Sequence, residues 1–179
     1  MKYSKIDPLS IANGPGIRVA LFVSGCTHHC KGCFNEIAWD FNHGDDFTDS
    51  TIDYIISLMD SEYKSGLTLL GGEPFEKQNQ PEVLKLVKRV REKLPSKSIW
   101  AYSGYTYEQI CSYKTGANKE VTDELLSLID VLVDGKFVLE LKDLALEFRG
   151  SSNQRIIDLN KTRESGETVL FDLHPDNRK

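Results

Sequence analysis

At 179 residues the chain is long enough to bury a core, and its net charge of −5 comes with no block of like charges, which argues against a nucleic-acid partner. Hydrophobic residues make up 40% and no apolar run approaches a membrane span, so a membrane-embedded protein is excluded as well. Of four cysteines, three fall within eight residues, a pattern suited to a metal in a reducing compartment and not to a disulfide framework. The opening MKYSKIDPLS lacks the apolar core of a signal peptide, which predicts a cytoplasmic protein, organised as one domain over 1–179.

Along the chain, Asn13-Gly14-Pro15-Gly16 forms a rigid turn into a first strand, where Ile17, Val19, Leu21 and Val23 alternate with Arg18, Ala20, Phe22 and Ser24. A charge such as Arg18 inside an apolar strand predicts a carboxylate partner. The strand runs into Gly25-Cys26-Thr27-His28-His29-Cys30-Lys31-Gly32-Cys33. Three thiolates at this C-x3-C-x2-C spacing are one short of a closed site, since structural zinc and an ordinary iron–sulfur cluster each take four protein ligands. A cubane held at three corners leaves one iron open to a small molecule. The alternative is zinc completed by His28, His29 or His43. Gly25 and Gly32 supply the positive φ values that a wrapped loop needs. His28 and His29 read as exposed loop residues.

A helix follows over about 48–63, with Ile52, Ile55, Ile56, Met59 and Tyr63 on one face. Next come a strand at 67–70 broken by Gly71-Gly72-Glu73, and a helix opened by Asn79 and Glu82 that presents Val83, Leu86, Val87, Val90 and Leu94. The basic positions from Lys85 to Arg91 form its solvated face. A strand at 98–102, helices near 107–111 and 122–129, and a strand at 131–133 complete a βαβ alternation, with further strand candidates at 155–159 and 168–173. A closed (β/α)₈ barrel takes about 250 residues. The pattern therefore predicts an α/β fold of the open partial (β/α) barrel kind, with a mainly parallel sheet of five or six strands. The cysteine loop, Gly71-Gly72-Glu73, Ser103-Gly104-Tyr105 and Asp134-Gly135-Lys136 each follow a strand's carboxyl end, where sites assemble in such folds. Ser103, Asp134 and Lys136 are candidates for the pocket, the last two as an acid and a carboxylate-pairing lysine, or else as residues of an ordinary turn. Cys111 reads as a partly buried bystander.

The segments NGPGIRVALFVSGCTHHCKGCFN (13–35), LTLLGGEPF (67–75), IWAYSGYTYE (99–108), VLVDGKFV (131–138) and RGSSNQR (149–155) together resemble the radical S-adenosylmethionine (SAM) superfamily. Within it they are most similar to the activating subunits of anaerobic (class III) ribonucleotide reductase. That resemblance implies a radical SAM partial barrel in which Cys26, Cys30 and Cys33 hold one [4Fe–4S] cluster, and the amino and carboxylate groups of SAM chelate the unique iron. It also implies that Gly71, Gly72 and Glu73 bind SAM. Many members carry an aromatic just before the third cysteine; here Gly32 holds that place and Phe34 follows Cys33, so Gly32, Cys33 and Phe34 are expected to border the adenine. An electron from a low-potential donor such as reduced flavodoxin would yield methionine and a 5′-deoxyadenosyl radical, which takes an α-hydrogen from a glycine of the reductase large subunit. Asn153 and Gln154 are candidates for docking that partner. The alternatives are another small radical SAM enzyme, whether a different glycyl-radical activase or a nucleobase-modifying one, and a non-catalytic zinc-binding module.

Overall fold

A computed structural model describes residues 1–175. Its frame is one seven-stranded sheet in the order β3-β1-β2-β4-β5-β6-β7. The strands are β1 (Lys2–Ser10), β2 (Ile17–Val23), β3 (Asp45–Asp46), β4 (Lys64–Gly71), β5 (Ser98–Tyr102), β6 (Val131–Asp134) and β7 (Arg155–Asp158). The sheet is open, and only its centre is parallel: β2, β4, β5 and β6 run together, with Val19 opposite Leu67 and Leu69 opposite Ala101. Both edges are antiparallel, through β1 with β2 and β3, and through β7 with β6. The expected mainly parallel sheet thus holds for four strands of seven. β1 escapes a period-2 reading because its exposed positions are scattered and Pro8 interrupts it. β7 runs antiparallel after a connection, 135–154, whose one regular element is a 3₁₀ turn at Leu139–Leu141, so no helical crossover returns the chain to a parallel start.

Helices α1 (Asp49–Met59), α2 (Gln80–Lys93), α3 (Tyr107–Cys111), α4 (Lys119–Leu128) and α5 (Leu159–Ser165) fill the connections. Thr48 opens α1 with a capping box, and the helix stops at Met59, leaving Tyr63 beyond it and exposed. Ile52, Ile55 and Met59 of α1, Val83, Leu86, Val87 and Val90 of α2, and Leu125 of α4 pack with Val19, Leu21, Leu67, Leu69 and Ile99 of the sheet. A second apolar group, Trp100, Val131, Val133 and Ile156, packs with Tyr102, Phe148 and Phe171. The strand expected at 168–173 reduces to a single bridge between Leu170 and Ile157. Among the described residues no helix is long and apolar enough to cross a membrane.

Arg18 departs from expectation. It is buried, yet its partners are neutral: Nε donates to Thr68 Oγ1 at 2.7 Å, Nη2 to the carbonyls of Leu67 at 2.7 Å and Ser98 at 3.0 Å, and Nη1 to Ser98 Oγ at 3.0 Å. The guanidinium also lies 5.6 Å from the Trp100 ring centre. Burial brings its pKa down to about 10. Arg18 thereby ties β2 to β4 and β5, and Thr68 passes the link on by donating to the Asn13 carbonyl at 2.8 Å.

A cysteine-lined cavity as candidate active site

The carboxyl ends of β2, β4, β5 and β6 open onto a cavity of about 450 Å³. Cys26, Cys30, Cys33, Gly32, Phe34, Gly71, Gly72, Glu73 and Ser103 all line it. Sequence spacing therefore brought nine of the eleven candidate residues to one place. Asp134 and Lys136 stand apart. Asp134 is buried, receives Arg155 Nε at 3.0 Å and the Tyr107 amide at 2.7 Å, and so serves as an anchor between elements. Lys136 is exposed and does not line the cavity.

The cysteine loop folds as its glycines require, with Gly25 at φ 96° and Gly32 at φ 72°. Backbone N–H groups point at the sulfurs: His28 toward Cys26, Phe137 toward Cys30, and Asn35 toward Cys33 Sγ at 3.4 Å. Burial, aided by the charges of Glu73 and Glu76, pushes the Cys26 thiol up to about 12. Burial raises Cys30 as well. Such thiols release their protons when a cation compensates the charge, and iron does so. Three soft donors with N–H groups aimed at them, in a cavity with room beside them, fit an iron–sulfur cluster. Cys111, expected to be partly buried, is exposed at the end of α3.

Of the two loop histidines, His29 is exposed as expected, whereas His28 is not. The His28 side chain is 6% exposed, with Nε2 3.0 Å from Glu73 Oε2 and its ring 4.3 Å from that of Tyr105. Gly104 makes room for it, since a Cβ there would come within 2.3 Å of the imidazole. His29 stacks on Trp39 at 4.6 Å, with the rings 7° from parallel. Both imidazoles thus have occupations other than completing a zinc site.

Glu73 is the hub of this edge. Its carboxylate receives the Phe75 amide at 2.8 Å, Ser103 Oγ at 2.9 Å and the Gly104 amide at 2.7 Å besides His28. Four donors fill the roughly four lone-pair sites of a carboxylate. Glu76 receives the Thr27 amide at 2.9 Å and its hydroxyl, and Asn79 donates to the carbonyls of Ser24 and Glu73, both at 3.0 Å. The segment from Glu73 to Asn79 therefore clamps the start of the cysteine loop. Gly72 shares in this: a Cβ on it would meet the Gly25 carbonyl at 2.6 Å and the Ala38 carbonyl at 2.9 Å. Sequence reasoning missed Glu76, Asn79 and His28, although the acidic spacing of Glu73-Pro74-Phe75-Glu76 beside a basic loop was a usable signal. Asn79 was read as a helix opener, and its side chain caps nothing.

Asn153, which is exposed, and Gln154 both bond to neighbouring backbone. Asn153 Nδ2 donates to the Lys136 carbonyl at 2.8 Å and Gln154 Nε2 to that of Gly135 at 2.9 Å, while Gln154 Oε1 receives the Gly150 amide at 2.8 Å. These bonds hold the 135–154 connection in shape.

Comparison with known proteins agrees with this chemistry. Residues 12–157 match the family model for a 4Fe-4S single cluster domain. The anaerobic ribonucleoside-triphosphate reductase-activating protein of Escherichia coli (strain K12) is 47% identical over 156 residues, covering 86% of this chain and 96% of the relative. The proteins of the same name from Vibrio cholerae and Enterobacteria phage T4 are 44% and 41% identical, covering 87% of this chain and 97% and 93% of theirs. By identity and by near full-length coverage, the chain belongs to the family of anaerobic ribonucleoside-triphosphate reductase-activating proteins.

Proposed function

We propose that this protein is a radical SAM activating enzyme that installs a glycyl radical on the large subunit of anaerobic ribonucleotide reductase. The observation that carries the reading is the meeting of Cys26, Cys30 and Cys33 with Gly71-Gly72-Glu73 in one cavity at the parallel strand ends. In this reading the whole chain is one domain of the open partial-barrel type, working in a reducing cytoplasm. Bound there, a [4Fe–4S] cluster and SAM supply one-electron reductive cleavage to methionine and a 5′-deoxyadenosyl radical, with the electron drawn from a low-potential donor such as reduced flavodoxin.

The protein's own residues do the positioning. Cys26, Cys30 and Cys33 would hold the cluster. Gly71 and Gly72 let the β4 end lie close against the backbone of β2 and of the cysteine loop, where a Cβ would meet Phe22 at 2.7 Å and the Gly25 carbonyl at 2.6 Å, and Glu73 sets that loop against the cysteine loop through His28, Ser103 and Gly104. The mouth of the cavity supports a macromolecular substrate. Phe34 and Leu144 line it and are 84% and 90% exposed, apolar surface that a partner covers while excluding water from a reactive radical.

The test is anaerobic incubation of the iron-reconstituted protein with the reductase, SAM and a low-potential reductant, followed by electron paramagnetic resonance. A glycyl radical on the reductase is expected with wild type and absent with Cys30→Ala. A wild-type protein that carries its cluster and cleaves SAM, yet leaves the reductase without a radical, would identify a different substrate.

A further inference from the structure

Two carboxylates are buried beside the cysteine loop, and they are held differently. Glu73 faces the His28 imidazole at 3.0 Å. Glu76, 4% exposed, receives the Thr27 amide at 2.9 Å and the Thr27 hydroxyl, and among the described residues it forms no ion pair. Its backbone is fixed as well, since its carbonyl accepts the Asn79 amide at 2.8 Å and the Gln80 amide at 3.0 Å at the entry to α2. Gripping Thr27 takes an acceptor and no charge, so a glutamine would serve the clamp as well. A carboxylate buried without a cation costs a fold more than a neutral amide. The surplus charge is felt at the residue next to Thr27: with Glu73 it disfavours the thiolate of Cys26.

From this geometry we infer that Glu76 is a potential-setting residue, a fixed negative charge bonded to the neighbour of Cys26 that lowers the reduction potential of a cluster on the cysteine loop. Iron–sulfur potentials follow net charge, hydrogen bonds to the sulfurs and solvent exposure. A nearby carboxylate repels the added electron, and burial leaves that repulsion poorly screened. The reduced cluster is then the stronger reductant, as cleavage of a sulfonium requires. Glu76 itself passes no electron or proton, and no bond to it is made or broken. The inference rests on the cysteine loop holding an iron–sulfur cluster and is independent of where SAM binds.

A redox titration of the anaerobic, iron-reconstituted protein without SAM, followed by electron paramagnetic resonance of the reduced cluster, reads the effect. Glu76→Gln keeps the length and the acceptor for Thr27 and removes the charge. At a fixed applied potential its ratio of reduced to oxidised cluster is expected to rise about tenfold, the scale of one unit charge acting over about 10 Å of partly buried protein. For one electron that is an upward shift of about 59 mV. Glu76→Asp keeps the charge and should stay near wild type even though its shorter side chain loosens the clamp. A Glu76→Gln potential equal to or below that of wild type would overturn the inference. So would an equal rise in Glu76→Asp, which would trace the effect to the clamp. If Glu76→Gln takes up no iron, Thr27→Val decides: it removes a hydroxyl that offsets the carboxylate and should lower the potential, whereas an unchanged or raised potential overturns the inference. Wild-type protein that takes up no iron would instead overturn the reading of the cysteine loop, and the inference with it.

Discussion

Gly72 shows how a single residue couples two parts of the site. Sequence alone assigns it to SAM, which predicts that Gly72→Val spares the cluster. The structure puts the absent side chain against the Gly25 and Ala38 carbonyls, at the root of the cysteine loop and in the turn after it. A valine must therefore push the loop that carries Cys26. Gly72→Val is expected to lower iron content after reconstitution together with SAM affinity, read by iron assay and dialysis on the same sample. Full iron content with weakened SAM binding would restore the narrower assignment. The three cysteines and the positive φ of Gly25 and Gly32 were legible from spacing, because cluster-binding loops need those residue types at short range. His28, Glu76 and Asn79 were not, because their roles depend on which loop lies opposite, a matter of tertiary contact that no periodicity encodes.

Among the elements, the parallel centre was readable because β2, β4, β5 and β6 carry compact apolar runs separated by amphipathic helices. The antiparallel edges were not, since β1 is polar and irregular and β7 is only four residues long. The β7 edge is fixed by Arg155, which reaches Asp134 of β6 at 3.0 Å and Glu108 of α3 at 3.0 and 2.8 Å. Arg155→Leu strands the Asp134 carboxylate, whose side chain is 1% exposed. The expected loss is about 3 kcal/mol, the low end for a broken buried pair because Arg155 is partly solvated, measured by denaturant unfolding. Arg155 also holds Glu108 down at about 2 from an ordinary 4.5. A carboxylate lowered on folding stabilises above its unfolded value, so this contribution is complete above pH 4.5 and disappears as pH falls toward 2. Glu108→Gln should flatten the stability profile in that window. An unchanged acid slope would show that the Arg155–Glu108 pair contributes nothing there.

At the scale of the molecule, helices α1, α2 and α4 pack on the sheet through one apolar core, while the strand ends and the 135–154 connection enclose a cavity with an exposed apolar mouth. Leu144 at that mouth offers a clean separation of partner docking from cofactor chemistry. Leu144→Glu should sharply reduce glycyl radical yield on the reductase while SAM cleavage without the partner continues, as followed by 5′-deoxyadenosine formation. Loss of both would place Leu144 within the cofactor pocket. The central claim is that three cysteines leave one iron to SAM, and electron–nuclear double resonance on the reduced cluster tests it most directly. With SAM labelled by ¹⁷O in its carboxylate and ¹⁵N in its amino group, hyperfine coupling of both nuclei to the cluster is expected. A protein that binds labelled SAM by dialysis while its cluster shows no coupling to either nucleus would contradict the account.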